Sequence, residues 1–293
     1  MNYALDALWW RLTDPNVRDL AAILTAPPLW HSGCELPLRE LLGETGFRYL
    51  LALDSNPAPL QQHLAAEAPF AHRLGFYAES LLAFWLQHAP HAQLFARNLP
   101  VKNEQNGQTL GALDFVCALN GKIYHLELTC KYYGATSGRP SEMAGLNPHD
   151  RLIDKAGKLT QQLAWSRHAA GAAALQQAGI AADKVHAASL VRGIGFSAAG
   201  QAASIAPLNA CGWHGLYIGD WAQYPLSDGL QTRCYLLPPM HILSPVRVPP
   251  AYAEEIGSLV QIRFGQVALL QKRPDGYWHE TARLMKTSGF EAV

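Results

Sequence analysis

The sequence has few charged residues and no long apolar run. Charged side chains make up 16% of the 293 residues and hydrophobic ones 49%, a balance typical of a well-buried globular protein rather than a disordered one. The longest apolar runs fall well short of the roughly 20 residues that a membrane-spanning helix needs. We therefore expect a globular protein of one large domain, or of a core with smaller flanking parts, and no membrane-spanning helix.

Cysteine is also scarce. The five cysteines are odd in number and scattered along the sequence, at positions 34, 117, 130, 211 and 234, which is not the pattern of a disulfide framework. The first residues, MNYALDALWWRLTD, carry two acids and lack the charged-then-apolar layout of a secretion signal. We expect a cytoplasmic protein with reduced thiols.

Several common catalytic motifs are missing from the sequence. It contains no GxSxG, GxxxxGK[ST] or GxGxxG element. Cys211 and His214 have half of a zinc-site spacing, but no second CxxC or HxxxH completes it, so we interpret the pair as a chance spacing. We interpret Gly193-Ile194-Gly195 as the end of a strand. Neither haem nor a nucleotide cofactor is expected.

The most informative stretch, TLGALDFVCALNGKIYHLELTCKYY at residues 109–133, predicts a β-hairpin. Asn120-Gly121 favours a two-residue turn, because both central residues of that turn need positive φ. Asp114 interrupts the apolar residues of the first strand, and Glu127 and Lys131 share one face of the second. A carboxylate in an apolar strand is costly unless a positive group meets it. Two such carboxylates on paired strands indicate a divalent metal and a basic partner.

A helix and a strand are predicted before this hairpin. The helix runs from about Phe70 to His88 and has an apolar stripe at helical spacing. Glu79 sits beside the stripe, either at its wet edge or pointed at a site. Gln93 to Val101 then predicts a short strand.

A helix and a strand are also predicted after the hairpin. Asn147-Pro148-His149-Asp150 has the residues of a helix start, and the pattern continues to about Ala170. Lys155 and Gln162 share a face of this helix next to its apolar stripe. Residues 185–196 predict a buried strand.

The two ends of the chain differ from this middle part. Residues 1–69 predict short helices, one of them opened by Asp14-Pro15. From residue 201 onward the pattern is one of short strands and a closing hairpin, with one short helix at Ala251–Leu259. We divide the chain into a helical N-terminal part (1–69), a core (70–200) and a β-rich C-terminal part (201–293), packed as one unit.

Charge is distributed unevenly over these three parts. Residues 1–69 hold 4 Lys or Arg against 8 Asp or Glu, and residues 70–200 hold 12 against 8, so the net charges are −4 and +4. A modest basic excess around the hairpin is compatible with a polyanionic ligand. It is far from the strongly basic footprint of a dedicated DNA-binding protein.

Four stretches of the sequence resemble a known bacterial family, the one called domain of unknown function eighteen fifty-three. They are GFYAESLLAFWL, TLGALDFV, HLELTCKYY and NPHDRLIDKAGKLTQQL, and they fall within residues 70–200. That family is grouped with the PD-(D/E)xK nuclease-like superfamily, whose core has the order αβββαβ. The resemblance implies an α/β protein with a restriction-endonuclease-like core, in which helices cover both faces of a mixed sheet.

The resemblance also implies a set of site residues. Asp114 would be the first metal-binding acid and Glu127 the second, for Mg²⁺ or Mn²⁺. Glu79 would be the acid that some superfamily members carry on the first core helix. The usual lysine position is occupied by Thr129. Lys131 lies four residues beyond the second acid, about 13 Å away at about 3.3 Å per residue.

Three further side chains complete the candidate site, together with a substitute lysine. Lys155 on the following helix could take the place of the displaced lysine. Gln161 or Gln162 would match the glutamine that recombination-type nucleases carry on that helix. Arg151 is the third candidate for contact with substrate.

The implied function is that of a Mg²⁺-dependent endo- or exonuclease that hydrolyses phosphodiester bonds of DNA or RNA. The displaced lysine keeps an alternative open, a catalytically inactive protein that binds nucleic acid or a protein partner. A third possibility is a structural role, with Asp114 satisfied by backbone amides and Glu127 paired with Lys131. Carboxylate oxygens of the two acids more than about 7 Å apart, or on opposite faces of the sheet, would exclude the metal hypothesis.

Overall fold

A computed structural model describes residues 6–71, 73–201, 205–221 and 232–287; residues 1–5 of the N-terminal stretch quoted above lie outside these ranges. Within them, the α-helices are α1 (Asp6–Arg11), α2 (Pro15–Thr25), α3 (Leu38–Leu42), α4 (Gly46–Ser55), α5 (Ala58–Glu67), α6 (Leu74–His88), α7 (Leu152–Ala164) and α8 (Ala169–Gln177). The strands are β1 (Ala92–Lys102), β2 (Thr109–Leu119), β3 (Lys122–Ala135), β4 (Val185–Ser197), β5 (Trp213–Ile218), β6 (Thr232–Leu236), β7 (Arg247–Val248), β8 (Glu254–Glu255), β9 (Gly265–Lys272) and β10 (Trp278–Lys286).

All of these strands belong to one mixed sheet. Its order is β1-β2-β3-β4-β5-β10-β9-β6-β8, and β7 pairs with β10. Strands β1 to β3 are antiparallel neighbours, whereas β3, β4, β5 and β10 are parallel neighbours. The sheet therefore crosses residue 200, where we divided the core from the C-terminal part. The protein is mixed α/β, with helices at its N-terminus and strands dominating its C-terminal part.

Helices cover both faces of the sheet, and the alternation of β3 decides which residues face which helix. Leu126 and Leu128 belong to the same buried cluster as Leu81 of α6. Tyr133, on the opposite face, belongs to a cluster with Leu159 of α7. Among the described helices, none is long and apolar enough to cross a bilayer.

The predicted hairpin is confirmed. Asn120 and Gly121 have φ angles of 49° and 80°, the positive values that the turn requires. The β2–β3 ladder runs from Leu119 opposite Lys122 to Phe115 opposite Leu126. The next opposed pair in this register would be Asp114 and Glu127, so both acids lie where the two strands separate.

The start of α2 is confirmed as well. The Asp14 side chain caps the helix by accepting hydrogen bonds from the backbone N–H groups of Asn16 and Val17, at 2.9 and 3.1 Å. Pro15 follows in the first turn, where its missing N–H costs nothing.

Two predicted helix starts are wrong by several residues. The helix expected from Phe70 begins at Leu74, because Ala71 has a φ of 46° and no right-handed helix can include that conformation. The helix expected from Asn147 begins at Leu152. The Asn147 side chain accepts from the His149 N–H at 3.0 Å and closes a turn instead of capping a helix.

Two further helix predictions are wrong. The helix expected to reach Ala170 ends at Ala164, because His168 has an extended backbone (φ −74°, ψ 147°) and separates α7 from α8. The helix expected at Ala251–Leu259 is replaced by short 3₁₀ turns around β8. Glu254 and Glu255, in the middle of that range, form β8 and pair with β6.

The glycines at Gly193 and Gly195 lie inside β4 and do not end it, which corrects our interpretation of that motif. Gly193 has a φ of 134° and pairs with Lys131 of β3. A Cβ atom at Gly193 would stand 1.6 Å from the Lys131 carbonyl oxygen. Glycine is therefore required at this position by the close approach of the two backbones.

Candidate active site

Asp114 and Glu127 meet where the β2–β3 ladder ends. The Leu128 N–H donates to Asp114 Oδ2 at 3.1 Å, and the Asp114 N–H lies 3.4 Å from Glu127 Oε1. Each carboxyl group thus takes a backbone N–H of the other strand at the point of separation. The two carboxyl groups also hydrogen-bond each other. They lie on one face of the sheet and in direct contact, which satisfies the distance condition set by the sequence.

Burial and mutual repulsion make this pair hard to ionise. Burial, with the charge of Glu127 second, raises the pKa of Asp114 to about 7. Burial also raises the pKa of Glu127 to about 7. The hydrogen bonds that Glu127 receives from Asp114 lower this pKa but do not cancel the effect of burial. Two carboxylates in contact cannot both be charged at low cost. Near neutral pH the pair therefore shares a proton.

Two neutral side chains fix the Glu127 carboxyl group. His125 Nε2 lies 2.7 Å from Oε1, and Gln162 Nε2 donates to Oε2 at 2.7 Å. His125 is fully buried, and burial lowers its pKa to about 4, so it is neutral at physiological pH. Among the described residues, neither His125 Nδ1 nor Gln162 Oε1 has a hydrogen-bond partner, although both atoms are buried.

Gln162 was among the candidates predicted from the sequence, whereas His125 was not. The signal was available, because His125 precedes Glu127 by two residues and so shares its strand face. Gln161 lies on the exposed side of α7. Arg151 is also exposed, and its Nη2 donates to the Ser141 carbonyl oxygen at 2.8 Å.

Glu79 of α6 contributes to the same electrostatic cluster. Burial raises the pKa of Glu79, and the charge of Asp114 raises it further. Arg97 Nη2 lies 3.9 Å from Glu79 Oε2, at the limit of an ion pair. Glu79 therefore interacts electrostatically with Asp114, and its side chain is only 19% exposed.

Lys131 is committed to a different partner from the one we considered. Its ammonium donates to Asp150 Oδ2 at 2.6 Å, and the Tyr133 hydroxyl donates to the other oxygen of Asp150 at 2.9 Å. The ion pair that we considered between Glu127 and Lys131 is therefore wrong.

Lys155 of α7 is the cation that acts on both acids. Its charge lowers the pKa of Asp114 and of Glu127. Burial, followed by the charges of Lys131 and Lys158, lowers the pKa of Lys155 itself. Within the described part of the chain, its ammonium makes no hydrogen bond or ion pair. It is thus a half-buried cation held near two acids without being neutralised by either.

A cleft of about 530 Å³ lies next to the acid pair, bordered by Leu128 and Thr129 of β3, although neither acid is among its described lining residues. Glu79, Thr129, Lys131 and Lys155 line it. The C-terminal part closes another side through Pro239, Ile242 and Gln266. Residues from two of the three predicted parts, the core and the C-terminal part, therefore surround one concave surface.

The donor set is suited to Mg²⁺, which needs few protein ligands. This ion prefers oxygen and keeps several waters, so one or two carboxylates are sufficient. Across residues 6–71, 73–201, 205–221 and 232–287, no group of three or more His, Cys, Asp or Glu side chains could hold a metal ion. A metal here would rest on Asp114 and Glu127. His214, of the CGWH stretch, has its Nε2 3.2 Å from the Ala210 carbonyl oxygen.

Fold and site together define a mixed α/β protein with a largely buried acid pair next to a cleft. Over residues 18–285 the chain matches the family model described as Domain of unknown function (DUF1853), and it belongs to that family. The chain has no match among curated proteins or among solved structures.

Proposed function

We propose that this protein is a Mg²⁺-dependent nuclease that hydrolyses phosphodiester bonds of nucleic acid in the cleft beside Asp114 and Glu127. The observation that carries the proposal is the acid pair, in which the half-buried Asp114 and the buried Glu127 are in contact and both have pKa values raised to about 7. Carboxyl groups with strongly raised pKa values are characteristic of functional sites. A divalent cation would replace the shared proton and offset the repulsion between them.

We further propose that residues 70–200 form a restriction-endonuclease-like core. The order α6-β1-β2-β3-α7-β4 supports this, with α8 inserted before β4. Helices on both faces of the sheet support it as well. The acids would lie on the central hairpin of that core, as the resemblance implies.

Each residue of the site has a role in this proposal. Asp114 and Glu127 would hold the metal, with Glu79 bound to it through a water molecule. A metal held there would lower the pKa of a bound water and stabilise the charge that develops on the phosphate. His125 and Gln162 orient Glu127. Lys155 supplies positive charge for the phosphate group.

A second candidate function is binding without hydrolysis. It is favoured by Thr129 at the usual lysine position and by the commitment of Lys131 to Asp150. In that case the cleft would bind nucleic acid or a protein partner through the same residues.

The test is an activity panel with Mg²⁺ or Mn²⁺ on plasmid, single-stranded and duplex DNA, and RNA. We expect cleavage of at least one substrate, reduced at least about 100-fold in Asp114→Ala and in Glu127→Ala. Asp154→Ala, at an exposed acid on α7, is the matched control and should keep its activity. Binding without cleavage would favour the second candidate. Absence of both would contradict the proposal.

A further inference from the structure

A second cavity, of about 360 Å³, lies between the start of α2, the start of α6 and the segment 240–248. Its described lining shares no residue with the cleft beside the acid pair. It is large enough for a small organic ligand. Which ligand it can bind depends on which charged side chains of its wall are free to form hydrogen bonds.

Two of the charged groups in the wall are already used by the fold. The Asp19 carboxylate accepts from the Tyr77 hydroxyl at 3.0 Å and from the Ser244 N–H and hydroxyl at 3.1 and 2.6 Å. The Arg18 guanidinium donates to the carbonyl oxygens of Trp9, Leu12 and Pro245. These two side chains hold the segment 240–248 against α2 and are not available to a ligand.

The guanidinium group of Arg247 is only partly used by the fold. Its Nε donates to Asp275 Oδ2 at 3.0 Å, and its guanidinium carbon lies 3.3 Å from the centre of the Tyr277 ring. Its side chain is 13% exposed, and its backbone is fixed by the pairing of β7 with β10. Among the described residues, none accepts a hydrogen bond from its two terminal amino groups.

An arginine held in this way is prepared to bind an anion. Its planar group can donate two parallel hydrogen bonds to a carboxylate or a phosphate. The stacking on Tyr277 and the bond to Asp275 fix the plane in advance, so little side-chain entropy is lost when a ligand binds. His241 is an exposed residue of the same wall, and its imidazole ring can donate a further hydrogen bond.

The remaining wall is mainly apolar and aromatic. Phe70 and Tyr235 contribute rings, and Met240 and Val248 contribute aliphatic surface. Such a wall is suited to a flat apolar body rather than to a simple inorganic ion.

We propose that this cavity binds a small organic anion, whose carboxylate or phosphate group is held by Arg247 and whose flat apolar body packs on the aromatic wall. The site is separate from the acid pair and does not depend on nuclease activity.

The test is calorimetric titration of the full chain in EDTA with adenosine monophosphate, indole-3-acetate and inorganic phosphate. We expect saturable binding of at least one organic anion and weaker binding of inorganic phosphate. Binding of the nucleotide alone would assign a phosphate group, and binding of the indole compound alone would assign a carboxylate. Binding should persist unchanged in Asp114→Asn, which separates this site from the proposed metal site.

Two variants and one control locate the binding. Arg247→Lys keeps the charge but loses the planar pair of donors, and should weaken binding at least tenfold. Tyr235→Ala leaves the arginine intact and should weaken the organic anions but not inorganic phosphate. Arg233→Lys is the matched control, since Arg233 also lies over an aromatic ring and pairs with an acid but is outside this cavity. Failure of both organic anions to bind the folded wild type, or equal binding by Arg247→Lys, would overturn the proposal.

Discussion

Two buried glutamates of this sheet have opposite kinds of charged neighbour. Glu280 of β10 receives a bidentate pair of hydrogen bonds from the buried Arg283, at 2.8 and 2.7 Å. Glu127 of β3 is also buried, but its carboxyl group hydrogen-bonds to that of another acid, Asp114. A buried charge is normally paired within the protein. Glu280 follows that rule and Glu127 does not.

The difference separates a structural ion pair from the acid pair of the proposed site. Besides pairing with each other, Arg283 donates to the Ser244 carbonyl oxygen and Glu280 accepts from the Val246 N–H, so the pair ties one segment to the sheet. The donors around Glu127 are neutral side chains and backbone groups, which orient the carboxyl group without balancing its charge. In the proposed function, the acid pair is the place where an external cation would bind.

The largest expected effect comes from breaking the structural pair. Arg283→Met leaves Glu280 buried without its cation and should reduce the free energy of unfolding by about 3 to 5 kcal/mol, measured by urea denaturation. The double variant Arg283→Met/Glu280→Gln should recover part of this loss, because no uncompensated charge remains. An Arg283→Met protein as stable as wild type would contradict the structural role of the pair.

The next largest effect is expected at the two lysines beside the acid pair. Lys155→Ala should reduce the cleavage rate about 100-fold, or about 2.7 kcal/mol, because its charge acts on both acids. Lys131→Ala should reduce it less than about tenfold, since Lys131 is bonded to Asp150. Initial rates under saturating Mg²⁺ measure both variants. A larger loss of rate in Lys131→Ala than in Lys155→Ala would instead assign the phosphate-stabilising role to Lys131.

A smaller effect is expected in the pH dependence of stability without metal. The folded-state pKa values of Asp114 and Glu127 are raised to about 7, above the roughly 4 of an unfolded chain. The folded state therefore binds more protons between about pH 4 and 7, and this pair lowers stability as pH rises through that window. Asp114→Asn removes the repulsion and should gain about 2 kcal/mol over wild type between pH 5 and pH 8.

Urea unfolding in EDTA at those two pH values measures this gain. Asp154→Asn, which changes an exposed acid, should follow the wild type at both. Equal pH dependence of the wild type and Asp114→Asn would show that the two carboxyl groups do not repel each other in the folded state.

Local rules in the sequence predicted the hairpin and the elements around it. The positive φ required at Asn120-Gly121 set the turn, and strand alternation put Glu127 and Lys131 on one face. Asp14-Pro15 set the start of α2 for an equally local reason. Each of these features depends on residues within a few positions of each other, so one sequence is enough to predict it.

Features that depend on tertiary contacts were not predictable in this way. The pairing of β8 with β6 replaced a predicted helix, and the extended backbone at His168 divided another. The commitment of Lys131 to Asp150 depends on how the segment before α7 folds back on β3. The positions of Gln162 and Lys155 near Glu127 depend on the packing of α7 against the sheet, which the helical pattern alone does not determine.

The most direct test of the account is calorimetric titration of Mg²⁺ and Mn²⁺ into the wild type and into Asp114→Asn near pH 7, with and without a phosphorothioate oligonucleotide. We expect saturable binding to the wild type, accompanied by release of the shared proton, and loss of that binding in Asp114→Asn. A folded wild-type protein that binds neither ion in either condition would contradict the assignment of the acid pair as a metal site.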